Sequence, residues 1–292
     1  MNDKLSQPLN NPSYADIIVV GGGLSGLAAA TYAAKSGRAV TLFEKASEPG
    51  GRAITKQRNG YSMNLGAHAL YYQTEAGEIL RELGVPYSGK QPPPLFALAN
   101  DTLHILSQSP LALLRTTLLD ASAKLELIRV LASAMRANML TLQKVSVSEW
   151  LDQHVRHPQV RALLLMLARV ATYTNAPEMQ SAALLVEMLR KVPKVLYLDG
   201  GWQTLVDGLR HAAQNAGVRI LTGTRVMAIE HEEHVQGVRL ANGELYPAQA
   251  VIVATDPTSA SALVDSGEHA ALRRWAQEAV PSYVACLDVA LR

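Results

Sequence analysis

Three glycines near the amino terminus have the residue type and spacing of a dinucleotide-binding turn. Gly21, Gly23 and Gly26 form a Gly-x-Gly-x-x-Gly pattern directly after a run of four β-branched residues. Gly21 would allow a tight turn, Gly23 would let a pyrophosphate approach the backbone, and Gly26 would let a helix pack closely on the preceding strand. The first-turn N–H groups of that helix would face the phosphates, and they include those of Leu24 and Ser25.

An acidic residue follows at the distance expected for recognition of a ribose. Glu44 closes a second predicted strand, about 20 residues after the glycine pattern. A carboxylate there accepts hydrogen bonds from a pair of ribose hydroxyls, and its charge disfavours a 2′-phosphate and therefore NADP. The alternative is that the glycines form a purely structural turn and that Glu44 is a solvated strand end.

The elements around these residues predict an α/β fold. Residues 17–20 and 39–44 are short, largely apolar runs, which are typical of strands buried on both faces. Residues 24–35 between them are rich in alanine and leucine, and Gly37 beyond them suits a left-handed helix C-cap. A strand, a glycine turn, a helix and a strand within about 30 residues predict a βαβ unit with a right-handed crossover.

The middle of the chain has a different pattern. From residue 111 to residue 190 the apolar residues recur with helical periodicity, and there is little strand signal. Ser146 or Ser148 is predicted to cap an amphipathic helix. Residues 158–173 are apolar nearly all round, which predicts a buried helix. The sequence therefore predicts an inserted helical domain.

The α/β pattern returns after residue 200. A helix is predicted over 203–217, a strand over 218–221, and a small antiparallel sheet after them. Asn242 and Gly243 are predicted to form a two-residue hairpin turn within that sheet. Another buried strand is predicted over 250–255.

Two further glycine-containing stretches follow the predicted ribose-binding acid. Residues 45–55 are KASEPGGRAIT and residues 60–70 are GYSMNLGAHAL. With the glycine pattern, they resemble the FAD-dependent oxidoreductases of the amine oxidase, protoporphyrinogen oxidase and phytoene desaturase superfamily. The resemblance implies FAD as the cofactor and places Gly50, Gly51 and Arg52 along its pyrophosphate and toward the flavin. The alternative for Arg52 is an ordinary surface arginine.

Later stretches resemble the same superfamily in the same order. Residues 197–209, YLDGGWQTLVDGL, are similar to a stretch that returns to the FAD near the flavin. Val226 in TRVMAIE corresponds to a valine whose backbone meets the adenine, and AVIVATDP at 250–257 resembles a strand that ends beside the cofactor. The resemblance covers nearly the whole chain, although the helical middle matches only in its general pattern. The predicted cofactor-binding residues are Gly21, Gly23, Leu24, Ser25, Gly26, Glu44, Lys45, Gly50, Gly51, Arg52, Gly66, Ala67, His68, Val226, Ala254 and Thr255.

The chain departs from the superfamily in two respects. Asn64 stands where the family usually has an acidic residue, so the family contact there is in question. Family members are also longer, and their last part adds a strand and a Gly-Asp motif that holds the ribitol and flavin. This chain ends at CLDVALR, within a predicted strand that returns to the substrate domain. We therefore expect either a fragment of a longer enzyme or a truncated protein.

The predicted fold class is α/β, with a Rossmann-like FAD-binding domain and an inserted, mostly helical substrate domain. The predicted organisation is a flexible tail at 1–14, the first part of the FAD-binding domain at 15–90, the helical insert at 91–195, the second part of the FAD-binding domain at 196–265, and at 266–292 the start of a return to the substrate domain that ends early.

Few side chains stand out as chemical groups beyond the cofactor motifs. His68 is the candidate catalytic residue, because the resemblance places it near the flavin, and its alternative is a satisfied interior histidine. Tyr197, Gly201 and Trp202 are predicted to line the substrate pocket, although the aromatic side chains could equally be packing residues. The eight histidines show no metal-ligand spacing, so no metal site is predicted.

Composition excludes several classes of protein. A formal charge of +2 over 292 residues, without a dense basic block, argues against a nucleic-acid partner. The single cysteine, Cys286, excludes an internal disulfide framework. The polar first residues lack a secretory signal and no apolar run is long enough to span a membrane, which predicts a cytoplasmic protein. Arg190, Lys191 and Lys194 either contact anionic lipid headgroups or form a plain solvated face.

The leading hypothesis is an FAD-dependent oxidoreductase that accepts a hydride from a small apolar organic substrate. Its electron acceptor is not identified by the sequence, and peripheral membrane contact and a homo-oligomer are left open. The alternatives are a truncated flavin-binding fragment without independent activity and a non-enzymatic prenyl- or lipid-binding protein on the same fold. An NAD dehydrogenase would share the glycine pattern but leaves the GGR and GGW stretches unexplained.

Overall fold

The computed structural model describes residues 14–66, 68–92, 95–99, 101–106, 116–191 and 194–289. The predicted tail lies outside these ranges apart from Tyr14. Within them the strands are β1 (Ala15–Val20), β2 (Val40–Phe43), β3 (Thr55–Arg58), β4 (Tyr61–Asn64), β5 (Leu70–Tyr71), β6 (Gly89–Lys90), β7 (Leu95–Ala99), β8 (Thr102–Leu106), β9 (Val195–Leu198), β10 (Arg219–Leu221), β11 (Val226–His231), β12 (Val235–Leu240) and β13 (Leu245–Val253). The α-helices are α1 (Leu24–Lys35), α2 (Glu75–Glu82), α3 (Ala121–Arg136), α4 (Met139–Leu142), α5 (Val147–His154), α6 (Pro158–Thr172), α7 (Ala182–Arg190), α8 (Gln203–Asn215), α9 (Pro257–Leu263) and α10 (Ala270–Glu278).

The main sheet has six strands in the order β10-β2-β1-β13-β12-β11. Strands β10, β2, β1 and the end of β13 run parallel, whereas the start of β13 pairs antiparallel with β12. Successive residues of β1 face different cores. Val19 packs in a cluster with α1 and α8, while Ile18 and Val20 pack in a cluster with β11, β12 and β13. Both faces of β1 are therefore buried, which explains its run of β-branched residues.

The helical middle has a hydrophobic core of its own. Side chains from α3, α5, α6 and α7 form one buried cluster around Trp150 and Leu127. Ser146 caps α5 through a complete capping box with Glu149, so Ser146, and not Ser148, is the N-cap. The buried residues thus form one cluster in the helical middle and two clusters on the faces of the main sheet. The domain boundaries predicted from the sequence stay a prediction.

The insert contains the β7–β8 hairpin, with its turn at Asp101 (φ 57°), ahead of residue 111, where the predicted helical stretch begins. Three details of the sequence prediction are wrong. Helix α6 is buried on one face only, since its buried residues share that face while Val170 is half exposed. Residues 279–289, at the end of the described chain, form no strand. The third error concerns the turn between β12 and β13.

That turn does not have Asn242 and Gly243 as its two central residues. The N–H of Gly243 donates to the carbonyl of Leu240, so Ala241 and Asn242 occupy the centre. Gly243 follows them with φ of 86°. A turn of this form adds one residue to the two-residue hairpin loop that the sequence suggested.

Smaller sheets connect the insert to the main fold. β5, β9 and β6 form one such sheet, and β3 and β4 form another. No helix in the described part of the chain is long and apolar enough to cross a membrane.

Candidate functional site

A cleft of about 1090 Å³ opens at the carboxyl ends of the parallel strands. Val20 at the end of β1, Glu44 after β2 and Ala254 after β13 all line it. This edge of a parallel sheet is where α/β proteins bind their ligands, because the strand ends and the following helix N-termini converge there. The cleft is therefore the candidate functional site.

The three glycines of the amino-terminal pattern have three different surroundings. Gly21 has φ of 106°, and a Cβ on it would lie 2.6 Å from the carbonyl oxygen of Ala254. A Cβ on Gly26 would lie 1.9 Å from the carbonyl oxygen of Gly21, so α1 packs directly on the turn. Gly23 instead faces open space, with no atom within 4 Å of its Cβ position, and it lines the cleft.

The first turn of α1 presents its backbone to the cleft. Gly23 is the N-cap and has no side chain with which to bond the N–H groups of that turn. Leu24 and Ser25 line the cleft, and the first turn carries no acidic residue. The N–H groups of a first turn without a side-chain cap and the positive end of the helix dipole together make an anion site.

Glu44 is a buried carboxylate at the edge of the same cleft, with 8% of its surface exposed. Its Oε2 accepts a hydrogen bond from the N–H of Gly22 at 2.7 Å, and its Oε1 accepts one from the N–H of Ala46 at 2.8 Å. Each carboxylate oxygen has a second lone-pair direction available. The side chain is therefore fixed by the backbone and can still accept hydrogen bonds from a ligand.

The second glycine pair folds against the first glycine turn. The N–H of Gly50 donates to the carbonyl of Gly22 at 2.7 Å, and Gly23 and Gly50 form a parallel bridge. Gly50 has φ of 128°, and a Cβ there would lie 2.9 Å from the side chain of Ile54. Arg52 follows in a short 3-10 turn with its side chain exposed along the cleft. This arrangement adds a cation to the anion site at the start of α1.

An aromatic pair forms another part of the cleft lining. The rings of His68 and Trp202 lie 4.8 Å apart, edge to face at 61°. His68 Nδ1 is 2.9 Å from the carbonyl oxygen of Gly66, which orients the imidazole. Trp202 Nε1 is buried and has no hydrogen-bond partner within the described ranges. An unpaired buried donor is costly, so this N–H is a candidate contact for a bound ligand.

Asn64 connects the turn that carries Trp202 to β3. Its Oδ1 accepts hydrogen bonds from the Thr55 hydroxyl at 2.7 Å and from the backbone N–H of Trp202 at 3.0 Å. A Cβ on Gly201 would lie within 2.8 Å of both Thr55 Oγ1 and Asn64 Oδ1. Gly201 therefore serves close packing and is not among the residues that line the cleft, while its place in the substrate pocket stays a prediction.

The structure brings most of the predicted cofactor residues to one cleft. Gly26 supports the cleft from behind, Gly66 positions His68 without lining it, and Ala67 lies outside the described residues. The predicted cofactor residues that line the cleft are Gly21, Gly23, Leu24, Ser25, Glu44, Lys45, Gly50, Gly51, Arg52, His68, Val226, Ala254 and Thr255.

Tyr197 lies away from the cleft, although Trp202 lines it. Tyr197 is 52% exposed and pairs with Lys90 between β9 and β6. Burial first, and then the phenols of Tyr173 and Tyr197, raise the pKa of Tyr71. Tyr197 therefore lies on the small β5-β9-β6 sheet, in electrostatic contact with Tyr71.

The comparison with protein families identifies the family of the chain. The family model of flavin containing amine oxidoreductases matches residues 24–291. The chain belongs to this family. Its α/β, Rossmann-like fold and its flavin cofactor, FAD, predicted from the glycine motifs and their resemblance, are confirmed.

Individual proteins extend this assignment. A 4,4′-diaponeurosporene oxygenase of Staphylococcus aureus (strain bovine RF122 / ET3-1) is 25% identical over 278 residues, covering 81% of this chain and 54% of that protein. The chain thus spans about half the length of the curated relatives it matches. An oxidoreductase from Methanosarcina mazei has a similar fold, with a TM-score of 0.71 and 19% identity over 88% of this chain and 64% of that one. A putrescine oxidase bound to putrescine has a TM-score of 0.71 and 20% identity over 90% of this chain and 63% of that one.

The residues that line the cleft of this member of the flavin containing amine oxidoreductase family fit FAD. The uncapped first turn of α1 and the open side of Gly23 suit a pyrophosphate. The Glu44 carboxylate suits ribose hydroxyls. The unpaired N–H of Trp202 offers a donor to a polar ring system. The fit therefore rests on the donors and acceptors of this chain as well as on the family.

Several residues of the cleft were not predicted from the sequence. Arg225 and Met227 flank Val226, and Asp256 and Ser259 begin α9. Asp256 caps that helix by accepting hydrogen bonds from the N–H and hydroxyl of Ser259. The signal for Arg225 and Met227 was present in the TRVMAIE stretch, but only the valine had a family counterpart.

Proposed function

We propose that this protein is an FAD-dependent oxidoreductase that oxidises a small apolar organic substrate. The observation that supports it most directly is one continuous cleft that contains the start of α1, Glu44 and the His68–Trp202 pair. Bound FAD supplies the two-electron acceptor that the protein side chains lack. The electron acceptor that then regenerates the cofactor is dioxygen or another oxidant.

The residues of the chain have distinct proposed roles in this reaction. The N–H groups of Leu24 and Ser25 and the guanidinium of Arg52 hold the pyrophosphate, and Glu44 accepts the ribose hydroxyls. Lys45, Val226, Ala254 and Thr255 complete the cofactor wall.

His68 and Trp202 are proposed to face the flavin and exclude water. When His68 Nδ1 carries the proton, it donates to the Gly66 carbonyl and leaves Nε2 as an acceptor. That arrangement makes His68 the candidate for positioning the substrate or accepting a proton. The substrate is proposed to enter near Tyr197 and Tyr173, at the junction with the helical insert.

An apolar substrate is supported by two observations. The relative with 25% identity is named for its action on 4,4′-diaponeurosporene, a substrate of that protein. The insert also exposes several large apolar side chains, among them Phe96, Leu98 and Leu103. The proposal includes a cytoplasmic protein in peripheral contact with a membrane. Homo-oligomer formation stays open.

The substrate class can be tested on the FAD-loaded protein without oxygen. We expect an acyclic polyene in detergent micelles to bleach the visible absorbance of oxidised flavin, and putrescine to leave it unchanged. The His68→Ala variant should bleach more slowly while retaining FAD. Bleaching by putrescine alone would contradict the apolar substrate, and no bleaching by either compound would contradict the proposed activity in this chain.

A further inference from the structure

The outward face of α3 carries an unusual mixture of side chains. The inward face packs Ala123, Leu127, Val130 and Ala134 into the helical core. Turned away from that core are Leu125, Ile128 and Met135, which are 59%, 46% and 63% exposed, and Leu140 just beyond the helix is 74% exposed. An exposed apolar stripe at helical spacing on a globular protein marks a surface that meets something apolar.

Cations are interleaved with this stripe. Arg129 and Arg136 are exposed and lie on the same side of α3, about two helical turns apart. The one acid of the helix, Glu126, lies toward the other side and accepts hydrogen bonds from the N–H groups of Arg156 and His157. The outward face of α3 is therefore apolar and positively charged, without a carboxylate to neutralise it.

A groove runs beside the same two arginines. It has a volume of about 620 Å³ and lies between α3, α4 and α5. Arg129, Arg136 and His154 line it together with the neutral polar side chains of Asn138 and Gln153. None of its lining residues, all within the described ranges, is acidic. Its chemistry suits a phosphate ester adjacent to apolar chains.

One residue of the basic cluster Arg190, Lys191 and Lys194 makes hydrogen bonds within the protein. Arg190 donates its guanidinium hydrogen bonds to the carbonyls of Ala134, Met135 and Ala137, where α3 ends. It therefore caps α3 and is not available to a lipid. The same contacts place α7, and the exposed Lys191 after it, next to the carboxyl end of the α3 face.

We propose that the α3 face, defined as Leu125, Ile128, Arg129, Met135, Arg136 and Leu140, docks on an anionic lipid surface. The apolar side chains would enter the boundary between headgroups and acyl chains, and the arginines would meet the phosphates, with headgroups occupying the groove. Charge complementarity selects this occupant, since a neutral apolar partner would leave two arginines facing it. The inference rests on the peripheral membrane contact of the proposed function and assigns a surface to it, but it does not depend on the cofactor or the substrate assigned to the cleft.

Vesicle co-sedimentation of the FAD-loaded chain tests this inference. We expect binding to phosphatidylcholine vesicles that contain phosphatidylglycerol, little binding to phosphatidylcholine alone, and a loss of binding at high salt. The variant Arg129→Glu/Arg136→Glu should weaken binding by about tenfold or more. Its matched control, Lys56→Glu/Arg58→Glu on the exposed strand β3, makes the same change in net charge and should bind like the wild type.

A second pair of variants separates the apolar contribution. Leu125→Ser/Met135→Ser should weaken vesicle binding at unchanged charge, whereas Met179→Ser, at another exposed methionine, should not. Circular dichroism and retained FAD establish that each variant is folded. If the charge-reversed variant Arg129→Glu/Arg136→Glu fails to fold, the milder Arg129→Gln/Arg136→Gln replaces it.

Several outcomes would overturn the inference. One is equal binding of the reversed and wild-type proteins, and another is equal binding to neutral vesicles. Displacement by inorganic phosphate at constant ionic strength would indicate a site for free phosphate instead of a membrane. A dimer in sedimentation velocity that Leu125→Ser/Met135→Ser converts to a monomer would assign the face to a second copy of the chain.

Discussion

The carboxylate of Glu44 accepts a hydrogen bond from the N–H of Gly22, with 2.7 Å between Oε2 and the nitrogen. This bond connects the end of β2 to the turn that precedes α1. The same carboxylate accepts the N–H of Ala46 and lines the cofactor cleft. Hydrogen bonds to a charged acceptor are stronger than those between neutral groups. One side chain therefore fixes the shape of the glycine turn and has the proposed role of recognising the cofactor.

Replacing Glu44 should affect stability and cofactor binding together. The amide of Glu44→Gln can accept only one of the two N–H groups and turns its NH₂ toward the other, so we expect a loss of about 1–3 kcal/mol in the free energy of unfolding. We also expect FAD affinity to fall by about tenfold or more. Urea denaturation and flavin fluorescence titration measure the two effects. The exposed Glu48→Gln is the matched control, and equal behaviour of the two variants would contradict the role of Glu44.

Asn64 allows a test of the departure from the family pattern. Its contacts with Thr55 and Trp202 use only Oδ1, which a carboxylate oxygen can replace. We therefore expect Asn64→Asp to keep the stability within about 1 kcal/mol, and Asn64→Ala to lose about 2 kcal/mol because two donors lose their acceptor. Thermal or urea unfolding compares them. A carboxylate variant as unstable as the alanine variant would show that the amide N–H₂ is also needed.

Asp256 makes the stability of the cleft dependent on pH. Hydrogen bonds from the side chain and then the backbone of Ser259 lower the pKa of Asp256 below its ordinary value of 3.8. Because the folded-state pKa is the lower one, the stabilisation is present above pH 3.8 and is lost as the pH falls through the lowered value. Its size is limited to less than about 1 kcal/mol, since the side chain is exposed.

Asp256→Asn isolates this dependence. Asparagine still caps a helix but carries no charge, so the variant should be slightly less stable than the wild type at neutral pH. We expect the difference between their urea midpoints to shrink below pH 3.8, where the aspartate becomes protonated in both states. A difference that stays constant down to pH 2.5 would contradict the assigned cause.

Local motifs made much of this fold predictable, and tertiary contacts explain the errors. The β-branched run of β1, the glycines that follow and the capping box at Ser146 each depend on neighbours within a few residues. The packing role of Gly201 was not predicted because its need for a small residue arises from Thr55 and Asn64, far away in the sequence. The hairpin β7–β8 was missed because short apolar runs fit helices and strands alike.

The candidate site was predictable to a similar extent and for similar reasons. Glu44 and the glycines occupy fixed distances along one βαβ unit, so spacing alone identified them. Arg225 and Met227 reach the cleft because Val226 between them packs in one core with Val20 and Phe43, at the ends of β1 and β2. Asp256 reaches it because β13, which precedes it, lies next to β1 in the sheet order. No spacing rule within the sequence contains that order.

The most direct test of the central claim is the affinity for FAD of Gly23→Ala. No atom lies within 4 Å of the position of its Cβ, and the φ of Gly23, −71°, suits alanine, so folding should be affected by less than about 1 kcal/mol. The methyl group would point into the cleft where the pyrophosphate is expected. We predict a folded protein with at least about tenfold weaker FAD binding than the wild type, measured by flavin fluorescence titration. A folded Gly23→Ala protein that binds FAD as tightly as the wild type would contradict the assignment of this cleft to the cofactor.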